Sequence, residues 1–158
     1  MFRFEQRQEL SLSQKKAWNF FAQPQNLPRL TPKHLQFRLL HPLPEGMYSG
    51  LILRYQLSPL MGIRVQGCTK IETIVPHEYF TDVQLQGPFK SWHHEHRFEK
   101  ITETKTAVID IVHYQLPAGA LGKLLGGKLV KKQIEDLFEF RREALLKILA
   151  SEKEYHAE

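Results

Sequence analysis

Asp82-Val83-Gln84-Leu85-Gln86-Gly87-Pro88-Phe89-Lys90-Ser91-Trp92-His93-His94-Glu95-His96-Arg97-Phe98 carries the strongest structural signal in this chain. Side chains alternate between the two faces of a β-strand, so Trp92, His94, His96 and Phe98 share one face while His93 lies on the other. A face of aromatics and imidazoles suits a mostly apolar cavity with a few polar anchors. Gly87-Pro88 is turn punctuation, and it divides the stretch into two strands.

The period of two continues outward. Strands are predicted over 34–40, 49–57, 63–74, 79–86, 89–99 and 105–115, separated by Pro42-Leu43-Pro44-Glu45-Gly46, Ser58-Pro59, Pro76, Gly87-Pro88 and Thr102-Glu103. Short turns favour antiparallel neighbours, which makes the set a meander. In the last strand Ala107, Ile109 and Ile111 alternate with Val108, Asp110 and Val112. Apolar residues on both faces predict a central or covered strand.

The two ends of the chain have a different period. Phe2 to Leu10 alternates loosely and predicts a first strand; Ser11 or Ser13 can then cap a helix through Trp18, Phe20 and Phe21 that ends before Pro24. A second short helix near Asn26 to Leu30 stops at Thr31-Pro32, because proline disfavours the helical conformation in the residue before it. At the other end, the connector Gly119-Ala120-Leu121-Gly122-Lys123-Leu124-Leu125-Gly126-Gly127 leads into a helix through about Ala150. Val130, Ile134, Leu137, Phe138, Leu145, Ile148 and Leu149 fall on one side of it, and Lys131, Lys132, Glu135, Glu139, Arg142 and Glu143 mainly elsewhere. The connector lacks the Gly-Lys-Ser/Thr ending of a phosphate loop, so its expected role is a flexible gate rather than nucleotide binding.

The fold class these elements define is α+β: two short helices after the first strand, then a seven-stranded curved antiparallel sheet wrapped around a long C-terminal helix. One domain is expected over 1–150, followed by a polar tail over 151–158 that frays. A curved sheet cannot pack along the whole length of one helix, so a cavity between them is expected, dry unless polar groups reach into it.

Composition narrows the class of function. With 158 residues, 42% hydrophobic and 25% charged, the chain has the size and make-up of one ordinary globular domain. No apolar run approaches membrane-spanning length, and Met1-Phe2-Arg3-Phe4-Glu5-Gln6-Arg7 is charged rather than signal-like, so a soluble, cytoplasmic protein is expected. Cys68 is the single cysteine, which rules out an internal disulfide and reads as a small buried residue. The net charge of +5 is spread without a basic run, so no nucleic-acid partner is expected.

Several words in this order resemble the START-like, or SRPBCC, ligand-binding superfamily. They are Trp18-Asn19-Phe20-Phe21, Asn26 to Pro32, Asp82 to Phe89, Trp92 to Phe98, Asp110-Ile111-Val112-His113-Tyr114-Gln115-Leu116-Pro117 and Phe138-Glu139-Phe140-Arg141. The nearest resemblance is to its bacterial cyclase/dehydrase-like branch, and it extends over nearly the whole chain. It implies a helix-grip fold around a hydrophobic pocket for a lipid-, quinone- or polyketide-like ligand. Two positions in the fourth strand depart from the pattern: Gly67 stands where an aromatic residue is frequent, and Lys70 where a glutamate follows. They imply a larger pocket and a lost carboxylate.

The residues expected to bind ligand are Tyr55, Trp92, His94, His96, Phe98, Asp110, Tyr114, Phe138 and Arg141. His94, His96 and Asp110 are the catalytic candidates, with Asp110 expected across the strands from His94 as the carboxylate that orients an imidazole. A buried polar network is the plainer reading, since no serine or cysteine is placed as a nucleophile. The spacing of His94 and His96 also occurs among zinc ligands, with Asp110 or Cys68 as a third; lacking a convincing one, the reading expects neither metal nor cofactor. Arg141 falls within the apolar stripe of the last helix, where a guanidinium needs a carboxylate: Asp82 or Asp110 within the chain, or an acidic ligand. The function expected is binding of a small hydrophobic molecule. The alternatives are a cyclase or dehydrase using the pocket imidazoles, and, last, a basic surface that docks on RNA, ribosome or membrane.

Overall fold

The computed structural model describes residues 1–60, 62–118 and 126–155. Its strands are β1 (Phe2–Leu10), β2 (Arg38–Leu39), β3 (Ile52–Leu60), β4 (Ile63–Val75), β5 (Tyr79–Gln86), β6 (Ser91–Thr102) and β7 (Lys105–Gln115), and its α-helices are α1 (Gln14–Phe21) and α2 (Gly127–Tyr155). All seven strands form one antiparallel sheet in the order β1-β7-β6-β5-β4-β3-β2. This is the helix-grip α+β architecture, with β7 central between β1 and β6 as its two apolar faces require.

Local chemistry explains the elements and their departures from expectation. The Ser13 hydroxyl accepts from the Lys16 backbone N–H and caps α1, which buries Ala17 and Trp18. The segment expected as a second helix is a 3₁₀ turn over Pro24–Leu30 with Pro28 inside it, followed by a second turn over Lys33–Leu35. Prolines at 24, 28 and 32 remove the amides that an α-helix would use. The strand expected over 34–40 shrinks to Arg38–Leu39: His34 belongs to the 3₁₀ turn, and Gln36 takes a left-handed conformation with φ 48°. Beyond β2, the His41 ring Nε2 accepts the Arg54 backbone N–H at 2.9 Å in place of a ladder partner.

The strand expected from residue 49 begins at Ile52, because Gly50 turns the chain with φ 90°. It runs on to Leu60 through Pro59, and the ladder tolerates that proline by an irregularity between Leu57 and Leu60. Helix α2 continues to Tyr155, so residues 151–155 are helical where a frayed tail was expected. Most of the glycine-rich connector, 119–125, and with it the expected gate, lies outside the described residues.

Aromatic clusters close the space between sheet and helices at both ends. At one end Trp18 of α1 meets Phe80 and Phe98 edge to face, with Leu10, Val108 and Leu145 around them. At the other, Phe138 of α2 packs against Phe4, while Tyr114 meets Phe2, Phe89 and Trp92. No helix among the described residues is long and apolar enough to cross a membrane.

Candidate functional site

Between these two closures, three strands bring four titratable side chains to the middle of the concave face. His94 and His96 are two apart on β6 and share a side. Asp82 of β5 stands directly across from His94, and Asp110 of β7 directly across from His96. Asp110 was expected opposite His94, so the register is two residues away from that expectation. It is set near the hairpin, where Thr102 pairs with Lys105, Ile101 is an extra residue, and regular pairing resumes at Lys100 with Thr106. A ladder without that bulge would put Asp110 opposite Arg97 on the convex face.

Each carboxylate reaches both rings. His94 Nε2–H donates to Asp110 Oδ1 at 2.9 Å, and His96 Nε2–H donates to Asp82 Oδ2 at 3.0 Å. The remaining ring nitrogens lie beside the opposite carboxylates, His94 Nδ1 at 3.5 Å from Asp82 Oδ2 and His96 Nδ1 at 3.1 Å from Asp110 Oδ1. That last contact is out of line for a hydrogen bond, so His96 Nδ1 is buried without an aligned partner. The two rings lie 3.7 Å apart between centroids, and Phe80 stacks on His96 at 4.1 Å. Side-chain exposure ranges only from 4% at His94 to 16% at Asp110.

Burial opposes charge on every member, and the hydrogen bonds decide which members keep it. Burial alone would raise Asp110, but the bond from His94 and the close contact with the His96 ring outweigh it and hold the carboxyl far below the usual carboxylate range. Asp82 is likewise lowered, against burial, by the His96 bond and by the charges of His94, His96 and Arg141. Burial would lower His96, but the Asp110 carboxylate beside its ring and the bond to Asp82 overcome it and raise the imidazole. Burial lowers His94, and the neighbouring charge on His96 adds to the effect. The two carboxylates are therefore ionised, His96 holds a proton more strongly than free imidazole and His94 less.

These four side chains form one wall of a cavity of about 250 Å³. Phe20, Phe21, Leu30, Leu35 and Phe37 supply the apolar wall from the segment between β1 and β3, and α2 contributes Leu137, Arg141, Arg142 and Leu145. Arg141 Nε donates to the Leu30 carbonyl at 3.2 Å, and its guanidinium carbon lies 5.0 Å from the centre of the Phe138 ring. The internal ion pair expected for it does not form, since no carboxylate among the described residues comes within 4.0 Å of its nitrogens. Burial lowers Arg141, opposed at longer range by Asp110 and Asp82.

Of the residues singled out from sequence, Tyr55, Trp92, His94, His96, Asp110 and Arg141 line the cavity. Phe98, Tyr114 and Phe138 do not: they are 2%, 2% and 0% exposed and form the aromatic closures. Phe98 and Tyr114 point to the concave side by strand alternation and Phe138 by its place on the inward stripe of α2, but side chains from α1 and β1 cover them. Asp82 had been considered only as a partner for Arg141, yet its place in the quoted stretch, two residues before Gln84, puts it on the same face. Gln84 takes part differently, donating from Nε2 to the Phe89 carbonyl at 2.7 Å and so fixing the Gly87-Pro88 turn. A side chain at Gly87 would strike Gln84, with Oε1 only 2.3 Å from the Cβ position.

Gly67 does not enlarge the cavity. Tyr55 stands directly opposite it, and a Cβ there would lie 2.1 Å from the Tyr55 ring, so the tyrosine fills the space that an aromatic residue at 67 would take. Its hydroxyl lies 3.2 Å from Thr69 Oγ1. Lys70 sits 3.5 Å from Glu72, partly exposed on the face of β4 that turns away from the cavity. Asp82, His94 and His96 offer ligand atoms within 4.8 Å of one another, the set on this wall that could hold a metal ion. Cys68 cannot join them, because Thr69 and Ile71 of the same strand face the cavity and alternation turns Cys68 away.

A curved sheet gripping a long C-terminal helix over a partly polar hollow defines the START-like superfamily. Residues 10–138 match the family of polyketide cyclase/dehydrase and lipid transport proteins, and the chain belongs to that family. Similar solved structures include the Zhui aromatase/cyclase from Streptomyces sp. R1128, 15% identical with a TM-score of 0.70 over 99% of this chain and 96% of that one. A START superfamily protein from Mycobacterium smegmatis is 14% identical with a TM-score of 0.68 over 90% and 93% of the two chains. Norcoclaurine synthase from Thalictrum flavum, solved in complex with dopamine and hydroxybenzaldehyde, is 11% identical with a TM-score of 0.63 over 92% and 87%. At these identities the likeness is one of fold. No curated protein shows significant sequence similarity to the chain.

Proposed function

We propose that this protein binds a small, mainly apolar molecule in the cavity between its sheet, its N-terminal helical segment and α2. The observation that carries the reading is the distribution of the lining: apolar side chains on most sides, ionisable groups gathered on one wall and at Arg141. A hollow of about 250 Å³ exceeds the roughly 150 Å³ that accepts benzene and lies just below the roughly 300 Å³ at which drug-sized sites begin. It suits a ligand of bicyclic or medium-chain size. Tyr55, Trp92, His94, His96, Asp82, Asp110 and Arg141 are its proposed contacts. Membership of a family whose description includes lipid transport supports the reading.

Titration with the neutral fluorescent probe N-phenyl-1-naphthylamine tests it, with micromolar binding expected. Native mass spectrometry of freshly purified protein should also reveal a copurifying small molecule. If neither the probe nor any copurifying molecule is found, the reading fails.

The two His–Asp hydrogen bonds favour a second reading, a cyclase- or dehydrase-type enzyme. Neutral His94, held by Asp110, would take a proton from an acidic carbon, and protonated His96, held by Asp82, would supply one to a departing hydroxyl. Replacing both histidines by glutamine should abolish turnover of a cyclisable polyketide, and retained turnover excludes this chemistry.

A further inference from the structure

Arg141 is the one cavity-lining cation whose charge has no partner at contact distance among the described residues. It sits on the inward stripe of α2, eleven residues after Val130 and four before Leu145, both of which are buried. Its Nε is used on the Leu30 carbonyl, which fixes the plane of the guanidinium. Its two terminal nitrogens make no hydrogen bond among the described residues, and the side chain lines the cavity. The carboxylates that could have answered it, Asp82 and Asp110, are instead engaged by His96 and His94. The cavity thus presents a forked pair of N–H donors beside apolar walls, with one oxygen of each carboxylate on the facing wall already held by an imidazole.

Asp82 and Asp110 each hold an imidazole partner, so the wall leaves the terminal Arg141 donors unsatisfied. A planar guanidinium with two free N–H groups matches a carboxylate in the two-pronged geometry that makes arginine the preferred partner of such groups. A divalent cation at Asp82, His94 and His96 is the competing occupant. It would have to displace the His96–Asp82 hydrogen bond and share the cavity with the positive charge of Arg141.

We propose that the ligand is an apolar carboxylic acid whose carboxylate is received by the terminal nitrogens of Arg141 while its hydrocarbon body occupies the apolar side of the cavity. This rests on the ligand-binding reading above and specifies its chemistry. The test is calorimetric titration near pH 7.5 with two matched pairs, 2-naphthoic acid against 2-naphthylmethanol and decanoic acid against 1-decanol. The acids should bind at least about tenfold more tightly than the alcohols, on the scale of a charge-assisted hydrogen-bond pair. In Arg141→Gln the ratio of acid to alcohol affinity should fall to about one, and in Arg141→Lys, which keeps the charge but not the fork, it should be intermediate.

Wild-type protein that takes the alcohols as tightly as the acids overturns the proposal, whether or not the variants fold. So does an acid preference that survives in Arg141→Gln, or one that disappears when EDTA strips a metal from the purified protein. If neither acids nor alcohols bind, the ligand-binding reading itself falls; if alcohols bind without a preference for acids, only the proposal about Arg141 falls.

Discussion

His96 and Phe98 are two residues apart on the same strand and the same face, yet they occupy opposite kinds of interior. Phe98 is 2% exposed and enclosed by Trp18, Phe21 and Phe80, with Leu145 of α2 in the same cluster. His96 borders a hollow and shares two carboxylates with His94. The difference comes from what the rest of the chain lays over each position. Helix α1 delivers an indole above Phe98, whereas above His96 the covering segments stand back from the sheet. Packing thus supplies the stability at the ends of the groove, and the hollow between them is free to carry polar groups that a close-packed core would not accept.

That contrast can be broken most severely at its packed end. Phe98→Ala should cost about 3–5 kcal/mol, the range for deleting a fully buried aromatic, read as a fall in the urea midpoint at unchanged slope. A loss below about 1 kcal/mol would mean that the closure is loose. At the polar wall, Asp110→Asn removes the carboxylate that both imidazoles face, and a loss of about 2–4 kcal/mol is expected for breaking such a buried arrangement. The same variant tests the acid limb. Because Asp110 and Asp82 are lowered from 3.8 in the folded state, their contribution is complete above that value and is lost as the pH falls below it. Wild type should therefore lose stability steeply below about pH 4, and Asp110→Asn should lose it less steeply.

Gly67→Ala should cost about 1–3 kcal/mol, because its methyl group collides with the Tyr55 ring and drives it towards the cavity. The expected companion effect is weaker binding of every probe, acid or neutral. The imidazole pair offers a subtler measurement. Proton NMR of the ring hydrogens should show His96 titrating above 6.5 and His94 below it. Protonated His96 stabilises the fold fully below pH 6.5 and loses that effect as the pH rises through its raised value; neutral His94 acts in the opposite sense, its effect being lost as the pH falls below 6.5. If the order of the two titrations were reversed, the assignment of the shared proton would be wrong. The smallest effect belongs to His93→Gln on the convex face, within about 0.5 kcal/mol, which makes it the control for the two neighbouring imidazoles.

The antiparallel meander and the inward face of α2 were legible because strand and helix periods repeat over many residues, whereas the pairing of β1 with β7 was not. The exact occupants of the cavity wall were less so. Strand alternation put Phe98 and Tyr114, and the helical period put Phe138, on the inner side, but neither carries information about Trp18 or Phe4 arriving from elsewhere to seal them in. The bulge at Ile101 has no sequence mark, and it decides which histidine Asp110 opposes. Gly67 looked like added volume because its meaning depends on Tyr55, a residue from the neighbouring strand. The short β2 and the 3₁₀ turns follow from closely spaced prolines, whose effect on helix type is stronger than the local apolar pattern.

The four strand-borne groups of the polar wall all belong to the uninterrupted meander β5-β6-β7, whose strands are joined by short hairpins. Closing short loops costs little chain entropy, so this wall can assemble from a local segment of nascent polypeptide before the covering helix has been made. Its carboxylates and imidazoles would then meet while still hydrated and be dried only when α2 docks. Strand β1 can join this wall only after β7 has been made, because that partner comes from the far part of the chain.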